Sequence, residues 1–349
     1  WWMGYDALMT AKDFTTGGLN VAVIGATGAV GRDLLAVVGR SNLPVAGFRL
    51  FAGTGSNGEV IEINDRSHRV SSLPPVGDLP AVFEGIDVAF IAATADVAKL
   101  VIPVLQELDV PVIDIGAAHA DKSPVMVPQV SVEPIADFPD TRVMCSPSAP
   151  AVILSTVLGP LAARGAISSR GTVLLSASTA GKAGAEELSA QVVSLFNSKT
   201  PPRTVFPSGL AFDIHGQLGD VVEGWTTTER RIALEVADVL NWTPEQALMS
   251  VALVPVFGGI TANLTIEFDH AVNVDDIRQL LDEAPGLRVG DPVPGPRRVA
   301  GDSAIYVGRM RVDPDPHRLH LWLSADNLRV GATANALAIA LALWGEGYL

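Results

Sequence analysis

Three glycines, Gly25, Gly28 and Gly31, follow the short apolar run Val21–Ile24 and precede the helically spaced Leu34, Leu35, Val37 and Val38. Glycines at such a place let backbone N–H groups close on a pyrophosphate, whose charge a helix N-terminus favours. The spacing is GxxGxxG rather than the commoner GxGxxG. Its position directly after a strand points to a dinucleotide site built from Gly25, Thr27, Gly28, Ala29, Val30 and Gly31. A tight strand-to-helix crossing also demands small residues, so packing alone is the plain alternative.

Few other side chains could do chemistry. Cys145 is the single cysteine, and it reads either as a nucleophile or as a buried structural thiol. His119, near Asp114 and Asp121, could act as an acid/base or simply be solvated on its loop. His317 and His320 lie around a turn whose spacing offers too few ligands for a metal site, and none is expected. Lys182, in Ala180-Gly181-Lys182-Ala183-Gly184, could hold an anion or belong to a turn that only shapes the domain junction. Arg231 could do likewise, or pair with Glu229 or Glu235 on an exposed helix face.

The elements that must position these groups fall into two halves. In the first, apolar runs at Val21–Ile24, Phe48–Ala52, Asp87–Ala92, Val110–Ile115 and Thr141–Cys145 alternate with helices, one of them Asp96–Leu108, as in a parallel Rossmann-type sheet. Ser146-Pro147-Ser148 then turns into a helix over Ala149–Ala163. In the second, Thr172–Ser178, Ser250–Val256, Asn263–Phe268, Ala304–Val312 and Leu319–Ser324 alternate in the manner of a mixed or antiparallel sheet. Helices are expected at Gly184–Asn197, Thr227–Leu240 and Val274–Leu281, and loops at Pro201-Pro202 and Gly286–Arg298. Ala332–Trp344 is apolar nearly all round, so it must be buried between elements and could pack back on the first half. The expected fold class is α/β: a mobile extension (1–18), a dinucleotide-binding domain (19–147), an α+β dimerisation or catalytic-type domain (148–325) and a returning segment (326–349).

Composition narrows the function classes. The chain has 349 residues, 48% of them apolar, enough for roughly two packed domains. Its 24 basic and 38 acidic residues give a net charge of −14, which repels nucleic-acid backbones and anionic membrane surfaces. No run approaches the ~20 apolar residues of a membrane span. One cysteine forms no internal disulfide, and the cytoplasm is the expected compartment.

The segments Val23-Ile24-Gly25-Ala26-Thr27-Gly28-Ala29-Val30-Gly31, Val127-Pro128, Ala180–Gly184, Val254-Pro255-Val256-Phe257, Val307-Gly308-Arg309-Met310-Arg311 and Asp326-Asn327-Leu328-Arg329 with Gly331-Ala332 occur in this order. In that order, across Leu19–Leu349, they resemble the aspartate-semialdehyde dehydrogenase family. The tract Ser178–Leu195 is most similar to the Usg-like branch, which lacks the catalytic cysteine. The resemblance implies an NADP-binding Rossmann domain, a dimerising catalytic domain and a terminal helix returning to the first domain. It also implies a homodimer or higher oligomer, and the reductive dephosphorylation of aspartyl phosphate in amino-acid biosynthesis. That reaction needs a thiolate nucleophile, an imidazole acid/base and cations for carboxylate and phosphate.

Position by position, the resemblance puts other residues in those roles. The nucleophile of Asn-Pro-Asn-Cys falls on Ala149 in Ser146-Pro147-Ser148-Ala149, and the imidazole of Pro-Val-Phe-x-Gly-His falls on Ile260. The arginine two residues before that proline is Leu253, the phosphate-side arginine falls on Ala120, and the acid of Glu-x-x-Lys is Thr228, with the cation kept as Arg231. Where the family holds the ribose 2′-phosphate with Ser-x-Arg-Ser-Ala-Gly-Lys, this chain has Gly53-Thr54-Gly55-Ser56-Asn57-Gly58-Glu59. Ser56 remains a candidate cofactor contact, but arginine has become Gly55 and lysine Glu59. Glu59 would repel the 2′-phosphate and could accept from a free ribose hydroxyl. NAD or NADP could therefore be the ligand, although the family's NADP-specific hold on the 2′-phosphate is gone.

Losing nucleophile and base together removes the reaction path, since deleting one such group costs on the order of 10⁴ to 10⁶ in rate. The first expectation is therefore a catalytically inactive relative that keeps the dimer surface and a nucleotide cradle. The second is an active dehydrogenase, on the same or another substrate, that uses Cys145 or His119. The third is a structural subunit that pairs with an active relative and binds no nucleotide.

Overall fold

The computed structural model describes residues 18–116, 123–130 and 133–349. The proposed extension, but for Gly18, and the candidates His119, Ala120 and Asp121 lie outside them. The described chain forms two compact units, one of residues 18–148 with Ala332–Leu349, the other of Ala149–Gly331.

The first unit is built on a seven-stranded sheet in the order β3-β4-β2-β1-β5-β6-β7. Its strands are β1 (Leu19–Ile24), β2 (Val45–Ala52), β3 (Val60–Ile63), β4 (Arg66–Ser72), β5 (Val88–Ile91), β6 (Val112–Asp114) and β7 (Val143–Cys145). All neighbours pair in parallel except β3 and β4. β1 lies at the centre because Val21, Ala22 and Val23 can be covered on both faces, and each is fully buried. Four helices follow strands in this part of the chain: α1 (Ala29–Gly39), α2 (Leu79–Phe83), α3 (Ala95–Glu107) and α4 (Phe138–Thr141).

The β3–β4 hairpin was not expected, because Arg66-Ser67-His68-Arg69 looks like a loop. It turns at Asn64 and Asp65, both at positive φ (48° and 60°), as a tight hairpin turn requires. The expected strand Thr141–Cys145 shortens to β7, since Thr141 ends α4 and Arg142 takes a left-handed φ of 55°.

The second unit carries a six-stranded mixed sheet in the order β11-β8-β12-β15-β14-β13. Its elements in chain order are α5 (Ala149–Ala162), β8 (Ala166–Leu175), α6 (Gly181–Phe196), a small hairpin of β9 (Val221–Val222) and β10 (Trp225–Thr226), and α7 (Thr227–Leu240). There follow β11 (Ala247–Leu253), β12 (Ile260–Phe268), α8 (Val274–Glu283), β13 (Leu287–Val289), α9 (Pro296–Val299), β14 (Ile305–Val312) and β15 (Arg318–Ala325). Helices α5, α7 and α8 pack with the sheet.

Along the strands buried residues alternate with half-buried or exposed ones, such as Leu248, Ser250 and Ala252 on β11. The expected loop Gly286–Arg298 is corrected, because β13 adds a parallel edge to β14 and α9 begins at Pro296. Helix α6 starts three residues before its expected Gly184.

Helix α10 (Ala332–Glu346) belongs to the first unit, packing against α1 and β6. Thr333 Oγ1 donates to Asp33 Oδ2 at 2.5 Å, and Asn335 Nδ2 donates to Met126 O (2.8 Å) and Ser146 Oγ (2.9 Å). The unit boundary is Gly331/Ala332 rather than the expected 325/326. Asp326 and Asn327 are tied into the second unit: Asp326 accepts from Gly301 N (2.6 Å) and Asn327 Oδ1 from Gly259 N (2.8 Å).

Candidate functional site

In the first unit the glycine turn links β1 to α1, and its three glycines are under different constraints. Gly25 has φ +91°, and a Cβ there would stand 2.3 Å from Ala92 O. A Cβ on Gly31 would stand 2.1 Å from Gly25 O and 2.8 Å from Ala26 Cα, so Gly31 is buried and serves the close crossing of helix and strand. A Cβ on Gly28 would meet only Gly25 O, at 3.4 Å. Internal packing therefore explains Gly25 and Gly31 but not Gly28. Gly28 is the N-cap of α1 without a capping side chain, and Ala29 and Val30 after it are exposed, leaving the first turn open to an anion.

Beside this turn is a cleft of roughly 300 Å³. Gly25, Gly53, Thr54 and Ala93 line it, and Leu79 and Val97 contribute apolar surface. An apolar slot next to an open helix N-terminus suits a flat heteroaromatic ring joined to a phosphate. Ser56 sits in the tight loop after β2, its N donating to Gly53 O (3.0 Å) and its O accepting from Glu59 N (3.1 Å). Glu59 is held in an ion pair, because Arg32 Nη2 donates to its Oε1. Arg32 Nε also donates to Thr27 O at 3.1 Å. Arg32 was missed as a site residue, although a cation one position beyond the third glycine is on the first turns of the same helix.

The remaining candidates lie in the second unit. Ala149 opens α5, half-buried, and a Cβ on Gly331 would come within 2.9 Å of its methyl group. Leu253 at the end of β11 pairs with Leu175 on β8, which pairs with Ile260 on β12, which pairs with Ala325 on β15. Directly paired residues share a face, so these four form one buried apolar row, with Leu253 and Ile260 only 4% and 1% exposed. Such a row can neither clamp a carboxylate nor move a proton. Past its edge, Asn327 Oδ1 accepts from Ser178 Oγ (2.9 Å) as well as from Gly259 N, and Ser178 Oγ lies 2.9 Å from Ser176 Oγ. This junction of three loops was unforeseen, since its hydrogen bonds link residues up to 149 positions apart.

The two candidate cations each lean on a neighbouring acid. Arg231 Nε donates to the buried Glu235 at 2.8 Å. Glu229, the other partner considered, instead closes a capping box with Thr226, beside Thr228, and accepts from Val251 N at 3.1 Å. Lys182, 82% exposed in the first turn of α6, lies 3.5 Å from Glu186. Deeper in α6, Glu187 and Gln191 organise residues 202–211. Glu187 accepts from the N–H groups of Thr204, Val205 and Phe206, and Gln191 Oε1 from those of Leu210 and Ala211. Burial alone would raise the Glu187 pKa, but these backbone donors and the Gln191 amide outweigh it and hold the carboxyl below its ordinary range.

Cys145 ends β7 with no exposed surface, opposite Asp114 in the ladder. His317 contacts Asp315, and His320 lies between Thr265 and Asp313. Among the described residues no three His, Cys, Asp or Glu side chains converge as metal ligands, and no helix is long and apolar enough to cross a membrane.

Residues 20–138 match the family described as semialdehyde dehydrogenase, NAD binding domain, and residues 158–330 the semialdehyde dehydrogenase, dimerisation domain. An aspartate-semialdehyde dehydrogenase of Rickettsia bellii is 33% identical over 335 residues, covering 92% of this chain and 96% of that protein. A USG-1 protein homolog of Pseudomonas aeruginosa is 31% identical, with the same shares covered. Among solved structures, aspartate semialdehyde dehydrogenase II of Vibrio cholerae, complexed with ASA, superposes with a TM-score of 0.89 at 28% identity, covering 96% of this chain and all of that one.

Proposed function

Because the chain belongs to the aspartate-semialdehyde dehydrogenase family, we propose that it is a member that keeps a dinucleotide cradle and a pairing surface but not the family's reaction. The carrying observation is the apolar row through Leu253 and Ile260, together with the methyl group of Ala149, at the positions where the resemblance expects arginine, imidazole and thiolate. An anionic acyl phosphate would meet desolvated hydrocarbon there, with neither partner nor nucleophile.

The open space at Gly28 and the neighbouring cleft support nicotinamide dinucleotide binding, with Gly25, Thr27, Gly28, Ala29 and Val30 around the pyrophosphate and Ser56 towards the adenosine ribose. When bound, such a cofactor can accept or donate a hydride. With Glu59 in place of the family's lysine, NAD is the better fit. The match to a dimerisation domain supports a homodimer, and the half-buried Leu174, Leu248 and Trp322 on the sheet of the second unit offer apolar surface to a second copy. Residue composition favours the cytoplasm.

A second reading, an active dehydrogenase, is favoured by the names of the relatives at about one-third identity. One assay separates the two: reduction of NAD and of NADP with aspartate semialdehyde and phosphate. No turnover above background is expected, and turnover at ordinary enzymatic rates would overturn the proposal. Titration with both dinucleotides separates the cradle from a purely structural subunit, which would bind neither.

A further inference from the structure

The geometry points to the Arg32–Glu59 ion pair as the device that sets this chain's choice between dinucleotides, Glu59 holding Arg32 away from a ribose 2′-phosphate; this rests on the dinucleotide reading above. Arg32 bridges two parts of the proposed site. Its Nε is bonded to Thr27 O in the glycine turn, and its Nη2 to Glu59 beyond the loop that follows β2. Glu59 closes that loop through Glu59 N to Ser56 O (3.1 Å) and Ser56 N to Gly53 O (3.0 Å), and Gly53 and Thr54 line the cleft. The loop itself, Gly53-Thr54-Gly55-Ser56-Asn57-Gly58, has no cation, so Arg32 is the guanidinium that the ion pair brings to it.

Both members of the pair remain within reach of a ligand, with Arg32 48% and Glu59 37% exposed. A 2′-phosphate arriving beside this loop must displace a carboxylate already bonded to Arg32, and it meets the charge of Glu59 as well. A ribose with its 2′-hydroxyl free faces no such competition and can donate to the carboxylate. Replacing the carboxylate by an amide leaves the guanidinium in position and available for charge-assisted bonding to phosphate.

Binding, not turnover, tests this. Dissociation constants for NAD and NADP are measured calorimetrically on the full chain, the Glu59→Gln variant and the Glu59→Gln/Arg32→Ala double variant, each checked for cooperative unfolding. The wild-type chain should prefer NAD. E59Q should gain affinity for NADP relative to NAD on the order of tenfold, as expected for one new charge-assisted contact, and the double variant should lose that gain. An unchanged ratio in E59Q, or a gain that survives removal of Arg32, overturns the role of the pair while leaving the dinucleotide reading intact. Failure of all three proteins to bind either ligand overturns both.

Discussion

His215 and Leu253 exchange both of their backbone hydrogen bonds, His215 N to Leu253 O at 3.0 Å and Leu253 N to His215 O at 2.8 Å. Opposed residues in such a bridge project to one face, so the imidazole stands beside Leu253 at the end of the apolar row. Its Nε2 is buried and bonded to no described group. A buried polar atom without a partner costs about 1–3 kcal/mol. His215→Phe should therefore leave stability unchanged or raise it by about 1 kcal/mol in urea unfolding. A clear loss would mean that Nε2 has a partner worth keeping.

The glycine turn predicts opposite outcomes for two similar substitutions. Gly31→Ala forces a methyl group into the Gly25 carbonyl and should cost about 1–3 kcal/mol. Gly28→Ala meets no such obstacle and should stay within about 1 kcal/mol of wild type, yet weaken dinucleotide binding because the methyl group occupies the open side of the turn. Thermal unfolding together with dinucleotide titration checks both. Equal destabilisation by the two variants would remove the distinction drawn between the glycines.

Cys145 has no exposed surface. A thiol reagent should label the native chain negligibly and label one site per chain after denaturation. Rapid native labelling would reopen the reading in which Cys145 replaces the missing nucleophile.

Glu187 should contribute to acid sensitivity. Its folded pKa lies below the ordinary glutamate value, held there by the backbone N–H groups of residues 204–206 and the Gln191 amide against the effect of burial. Its contribution is thus fully present at neutral pH and is lost as pH falls from that value through the folded one. Glu187→Gln, which keeps an acceptor oxygen but no charge, should lower the melting temperature at pH 7 and narrow its gap to wild type towards pH 3. A gap independent of pH would mean that the carboxylate charge is not what orders residues 202–211.

Legibility in the sequence followed burial. The central strands of the first unit are continuous apolar runs, and α10 is apolar nearly all round. Both must be hidden, and a pattern of that kind is visible without coordinates. The β3–β4 hairpin is polar at the sheet edge, and only Asn64-Asp65 marked its turn. The three residues of β13 are too few to stand out from a stretch rich in glycine and proline. Within the candidate site the glycine turn was readable because its neighbours are local. The Arg32–Glu59 pair and the bonds of Asn327 were not, since they join residues distant in the chain. The partner of Arg231 was decided by a local competition, in which Glu229 is taken up by the helix cap.

The sheet that contains β1 packs with helix α10, which in the sequence follows all of the other unit. During translation its seven strands leave the ribosome well before that helix does. Until residues 332–346 emerge, Ser146 Oγ has no Ala332 carbonyl to bond, and α1 lacks the part of its packing that α10 supplies. The unit synthesised second can thus reach its native form before the unit synthesised first, reversing the usual order of maturation along a nascent chain.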